Sequence, residues 1–214
     1  MTQGNFAWLI LALLAFLVGI PVADDLGAMG GPVAKALAFS ALLGIGVLSL
    51  RHAGALYKAA MAIAVLGIVL SIAASQISGT AFVYASFGAV MIFLIIAIAY
   101  TFRQIATDTT ISVNRIVGAV AVYLMFGVLW SVAYTMVELI WPGSFCGFDP
   151  GTGAKWASEW LYFSFVTMTT LGYGDIAPVS AIARMLAYMQ AILGQLYIAI
   201  LVAGLVGAYI AREK

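Results

Sequence analysis

The chain has 214 residues, 65% of them hydrophobic and 8% charged, with a formal net charge of +1. A soluble domain carries about 25% charged residues, and so apolar a surface cannot stay in water; a soluble globular protein is excluded, and the bilayer is the solvent. The near-neutral balance excludes a broad basic field for nucleic acid. The single cysteine, Cys146, excludes an intrachain disulfide, and no Cys/His spacing suits a metal.

A bilayer-crossing helix needs about 20 mostly apolar residues. Six stretches qualify in chain order: Asn5–Ala23, Val33–Leu50, Tyr57–Ser75, Ala81–Thr101, Arg115–Ile140 and Arg184–Ala211. Breakers and polar residues separate them, among them Pro21, Asp24, Asp25, Gly30, Gly31 and Pro32, then Arg51 and His52, then Gln76, Ser78, Gly79 and Thr80. Val-Ala before Asp24 is a faint cleavage pattern, but no Lys or Arg precedes the run, and the run exceeds a usual signal segment. The first stretch is therefore read as a retained span. With the N-terminus inside, the cytoplasmic side holds Arg51, Lys58, Arg103, Arg115, Arg212 and Lys214. The outside holds Lys35, Lys155 and Arg184, so lysine and arginine bias puts both termini in the cytoplasm. Asp24, Asp25, Glu138, Asp149 and Asp175 then fall at or near the outer surface.

The chain divides into residues 1–107 and residues 108–214. The second part reads span, loop, half-span, span. After the Gly- and Pro-containing loop Trp141–Lys155, Trp156–Thr169 reads as a short helix of about four turns, too short to cross. It must enter the membrane and stop. Non-helical backbone at that depth survives only where protein or water surrounds it, so a re-entrant helix followed by a Gly-rich segment is itself a pore hypothesis.

The Gly-rich segment supplies the chemistry. To carry a dehydrated cation, a backbone must aim successive carbonyls at one axis, which requires alternating right- and left-handed residues. Glycine adopts the left-handed state without a Cβ penalty. Gly172 and Gly174 recur with period two around Tyr173. Carbonyls from Thr170, Leu171, Gly172 and Tyr173, with the Thr170 hydroxyl, can then stack as rings when four copies surround an axis. The C-terminal end of the short helix adds partial negative charge facing the ion.

The string Tyr162-Phe-Ser-Phe-Val-Thr-Met-Thr-Thr-Leu-Gly-Tyr-Gly-Asp175 strongly resembles the pore signature of tetrameric potassium channels. The resemblance implies an all-α membrane protein with six transmembrane helices, a re-entrant pore helix and a filter loop, assembled with three identical subunits. It implies passive conduction of K+ in the cell membrane. Thr170, Leu171, Gly172, Tyr173 and Gly174 would form the selectivity filter, with K+ at the first four and Tyr173 bracing from behind. Asp175 matches the outer-mouth acid. Phe163, Val166 and Thr169 fall on the supporting helix, and Gly194 matches the inner-helix hinge, with close packing as its alternative. Leu171 stands where Val or Ile is usual, Phe163 where many members have Trp, and Val166 where some keep an acid behind the filter. Gln195, Ile198 and Ala199 are candidates for the cavity wall, and Gly204 and Gly207 for packing or constriction at the inner mouth.

Residues 1–107 resemble the four-helix sensor domain of six-span channels in count and order only. The fourth predicted span has no Arg or Lys, and no Asp or Glu occurs between Asp25 and Asp108. Gating charges are absent, so voltage gating is not expected. Four residues follow Ile210, and no cytoplasmic ligand domain is expected. The filter is the preferred gate. No enzyme is expected: the one histidine, His52, is in a loop, and no acid cluster lies within the spans. A carrier would show inverted repeats with broken helices in both halves, whereas one re-entrant element is present. A weakly selective cation channel and a non-conducting channel subunit remain as alternatives. No cofactor is expected beyond potassium ions, and the other partners are membrane lipids, with no nucleic acid.

Overall fold

The computed structural model describes residues 6–26, 55–76, 80–107, 113–147 and 156–212. Six helices and one two-residue strand pair make up these segments: α1 (Phe6–Asp25), α2 (Ala55–Gln76), α3 (Thr80–Thr107), α4 (Val113–Ile140), β1 (Phe145–Cys146), α5 (Trp156–Met168), β2 (Ala177–Pro178) and α6 (Ala181–Arg212). The predicted span Val33–Leu50 lies outside the described residues.

Four described helices are long and apolar enough to cross a membrane: α1, α3, α4 and the Ala181–Leu201 part of α6. The apolar run of α2, Lys58–Ala73, is shorter than a full span. At 28 residues, α4 is about 42 Å long, enough for the hydrocarbon layer and part of both headgroup regions. At 13 residues, α5 is about 20 Å long and falls short. Helix α1 runs four residues past Pro21 to Asp25, because a proline near a helix end sacrifices only one backbone bond. Asp24 in that last turn is only 4% exposed.

Helix α2 packs on α3, α3 on α4, and α4 on α1, α5 and α6. Helix α1 also touches α5. One apolar core joins them and includes Leu13 of α1, Ala60 of α2, Phe93 of α3, Met125 of α4 and Leu161 of α5. The core thus crosses the predicted boundary at residues 107 and 108. The start of α1 is tied to the start of α4, where the Phe6 amide donates to Asn114 Oδ1 at 2.9 Å. A second cluster near the C-terminal end of α4 gathers Tyr134, Phe145, Trp160, Phe163 and Ile176.

Strands β1 and β2 pair antiparallel, Phe145 with Pro178 and Cys146 with Ala177. This bridge fastens the loop after α4 to the segment between residue 175 and α6. Pro178 sits at a strand edge, where its missing amide costs the ladder nothing.

Candidate functional site

The segment after α5 has the backbone its glycines announce. Gly172 has φ +57° and Gly174 has φ +80°. Thr170 has φ +59°, and it is the only non-glycine with positive φ among the described residues. Positive and negative φ therefore alternate from Thr170 to Gly174, which turns successive peptide planes the same way. A β-branched residue in the left-handed region is an outlier costing about 1–3 kcal/mol. Local bonds hold it there. The Thr170 amide donates to the Thr167 carbonyl at 3.0 Å. Its hydroxyl donates to the Thr169 carbonyl at 2.7 Å and accepts from Gln195 Nε2 at 3.3 Å.

The entry to the segment is stitched to α5. The Val166 carbonyl accepts from the amides of Leu171 at 2.9 Å and Gly172 at 3.4 Å. Thr169 closes the last turn, its hydroxyl donating to the Phe165 carbonyl at 2.7 Å. Among the described residues, the carbonyls of Leu171, Gly172 and Tyr173 accept no hydrogen bond. Their side chains are also bare in the single chain, with Leu171 56% and Tyr173 68% exposed.

Residues 119–211 match the family model described as an ion channel. A segment of 46 residues is 46% identical to Two-pore potassium channel 3 of Arabidopsis thaliana, covering 22% of this chain and 11% of that relative. The chain thus spans about a tenth of the relative it matches. No solved structure matches the chain at a significant level. These matches support an ion-channel domain in the C-terminal half, within a multi-pass membrane protein.

At the C-terminal end of the segment, the Tyr162 hydroxyl donates to Asp175 Oδ2 at 2.6 Å. This bond, helped by the Ile176 amide, holds the Asp175 carboxyl below the usual carboxylate range. The same bond, with partial desolvation and the nearby negative charge, pushes the Tyr162 phenol up to about 12. The sequence alone assigns Tyr162 no role. Its position 13 residues before Asp175, two helical turns from the end of α5, is the available signal.

The loop after α4 is pinned by Glu138, whose carboxylate accepts from the amides of Gly143 at 2.7 Å and Phe145 at 3.2 Å. Gly147 (φ +94°) abuts the Asp175 carbonyl so closely that no Cβ fits. Phe163 lies in an aromatic box with Tyr134, Phe145 and Trp160, its ring centroid 4.8 Å from that of Tyr134.

On α6, Gly194 lies against the end of α5: a Cβ there would stand 2.5 Å from the Met168 carbonyl. This contact gives the glycine a steric reason within one chain, which is the second of the two sequence readings. At Gly204 and Gly207 nothing lies within 4 Å of where a Cβ would stand, so the expected packing at these positions does not arise within one chain. Gln195, Ile198 and Ala199 are exposed on α6, with Gln195 reaching Thr170. A buried polar series also appears that sequence reading misses, running through Tyr134, Gln190, Ser164 and the Gly127 carbonyl.

Proposed function

We propose that the chain is a subunit of a potassium-selective channel in which four copies enclose one conduction path. The observation that carries this reading is the alternating backbone from Thr170 to Gly174, with its row of unpartnered carbonyls. Unpaired backbone carbonyls away from water are costly, and a row of them on one side of an extended segment is a ligand set for a dehydrated cation. One chain supplies only one side of such a cage. The exposure of this segment, Leu171 and Tyr173 included, supports further copies packing against it, because non-helical backbone at membrane depth survives only where protein or water surrounds it.

In this reading Thr170, Leu171, Gly172 and Tyr173 coordinate K+, and Asp175 lies at the outer mouth, with both termini in the cytoplasm. Helix α5 is the re-entrant pore helix: it holds the segment through the Val166 carbonyl and directs its negative helix end at the path. Conduction is passive. The gate lies at the filter, since the first half lacks the charges that a voltage sensor moves.

The test is potassium flux from purified protein in liposomes, with barium block and a bi-ionic reversal potential. Selective, barium-blocked flux is expected. Equal permeability to Na+ and K+ would instead favour the weakly selective channel, and a silent tetramer the non-conducting subunit.

A further inference from the structure

Gln190 lies in α6, one turn before Gly194, and is 1% exposed. The Tyr134 hydroxyl of α4 donates to its Oε1 at 2.5 Å. Its Nε2 donates to Ser164 Oγ of α5 at 2.7 Å. The Ser164 hydroxyl then donates to the Gly127 carbonyl of α4 at 2.6 Å. Tyr134 and Ser164 are fully buried. The series runs head to tail through three helices, and Gln190 is the member that both accepts and donates at separate atoms. An amide does this, as does a protonated acid; an ionised acid or an alkyl chain does not.

We propose that Gln190 is the positioning residue that ties the inner helix α6 to the filter-bearing helix α5, and thereby sets how long the filter holds its conducting shape. The proposal rests on the channel reading above. Three features carry it. First, Val166 has an apolar side chain, so the polar side-chain brace from α5 stands at Tyr162 and Asp175, and at Val166 only the carbonyl is engaged. The side-chain bond that holds the middle of α5 to α6 comes instead from the opposite face, at Ser164. Second, Gln190 and the bare Cα of Gly194 fasten α6 to α5 one turn apart. Beyond Gly194, Gln195 reaches the Thr170 hydroxyl at 3.3 Å, and Tyr197 bonds α4, donating to the Ala119 carbonyl at 2.7 Å, so neither bonds α5. Rotation of α6 before Gly194 therefore pulls on α5, while its part beyond Gly194 reaches the filter through Gln195 alone. Third, a broken link strands a buried donor or acceptor in an apolar interior, so the series has two states, made and unmade.

The experiment is single-channel recording and liposome flux of the full chain with Gln190→Leu, Gln190→Glu, Tyr134→Phe and Ser164→Ala. Gln190→Leu is expected to keep K+ selectivity while shortening conducting bursts by roughly tenfold. Gln190→Glu is expected to match the parent at acid pH, where the carboxyl carries its proton. At alkaline pH it should match Gln190→Leu. The neighbours at hydrogen-bond distance, Tyr134 and Ser164, are hydroxyls, so a pH profile beyond the parent's own belongs to the introduced acid. A filler residue would give no such profile. Tyr134→Phe added to Gln190→Leu should shorten bursts no further. If Gln190→Leu fails to assemble, Tyr134→Phe and Ser164→Ala, which keep shape, must show the shortened bursts. Parent-like bursts in Gln190→Leu, or a pH-independent Gln190→Glu, overturn the role of Gln190 and leave the channel reading standing. Absence of K+ flux through an assembled parent tetramer overturns the channel reading and this role together.

Discussion

Thr170 and Gly172 have nearly the same φ, yet they reach it at different cost. Gly172 carries no Cβ penalty, and nothing lies within 4 Å of where a Cβ would stand. Gly172→Ala therefore meets no clash within the chain. Its cost is conformational, about 1–2 kcal/mol per copy. The expected outcome is an assembled protein with a modestly lower melting temperature and no selective K+ flux, because the backbone escapes the left-handed region. Retained selective flux would show that the alternation is dispensable. The Tyr162–Asp175 pair gives a pH prediction. Asp175 has a lowered pKa, so its contribution is present above the ordinary carboxylate range and is lost as pH falls through its depressed value. Tyr162 is raised from 10.0 to about 12, so its contribution is complete below 10 and is lost as pH rises toward 12. Selective flux should be flat between these limbs. Tyr162→Phe should abolish the alkaline limb and return the Asp175 titration toward its ordinary range, as read by pH-dependent flux and phenolate absorbance.

At the scale of helices, two of the close contacts made by glycine differ in what can yield. At Gly127 of α4, a Cβ meets the ring of Phe165, which can rotate aside. At Gly194 of α6, a Cβ meets the Met168 carbonyl, which is backbone at the foot of the proposed filter segment. Gly194→Ala is therefore expected to impair selective flux by shifting α5, even though alanine stiffens and favours the helix. A bending-only role predicts altered open probability with selectivity unchanged, and reversal potentials separate the two. These elements were partly legible in the sequence. Apolar run lengths gave α1, α2, α4 and α6 to within three residues at each end, and α3 to within six, since a span must match the bilayer. The short helix came from the same length argument. What was not legible is lateral: no periodicity tells that Ser164, Gln190 and Tyr134 meet, because they lie on three separate helices in largely apolar runs. Thr170 in the left-handed region was equally hidden, because residue type argues against it.

The whole molecule poses a question of charge. In six-span channels that sense voltage, work comes from charge crossing the field, about 2.3 kcal/mol per elementary charge per 100 mV. Here α3 carries a single basic residue, Arg103, close to its C-terminal end. Helix α2 carries Lys58 in its first turn, and α1 carries only Asp24 and Asp25 at its last. No charge lies in the middle of any of these helices. Packing gives a second reason. Helix α1 rests on α4 and α5, and one apolar core runs from α1 and α2 through to Leu161. A sensor must slide against its pore, and a shared close-packed core resists sliding. One charge crossing the full field would change an open-to-closed ratio by roughly fiftyfold over 100 mV. The expected conductance–voltage relation has a steepness below about one elementary charge, with ions moving in the filter as its remaining source. Changing the permeant ion should then alter that slope, whereas Arg103→Gln should not. A steep sigmoid worth several charges, insensitive to the permeant ion, would overturn both the charge argument and the assignment of the gate to the filter.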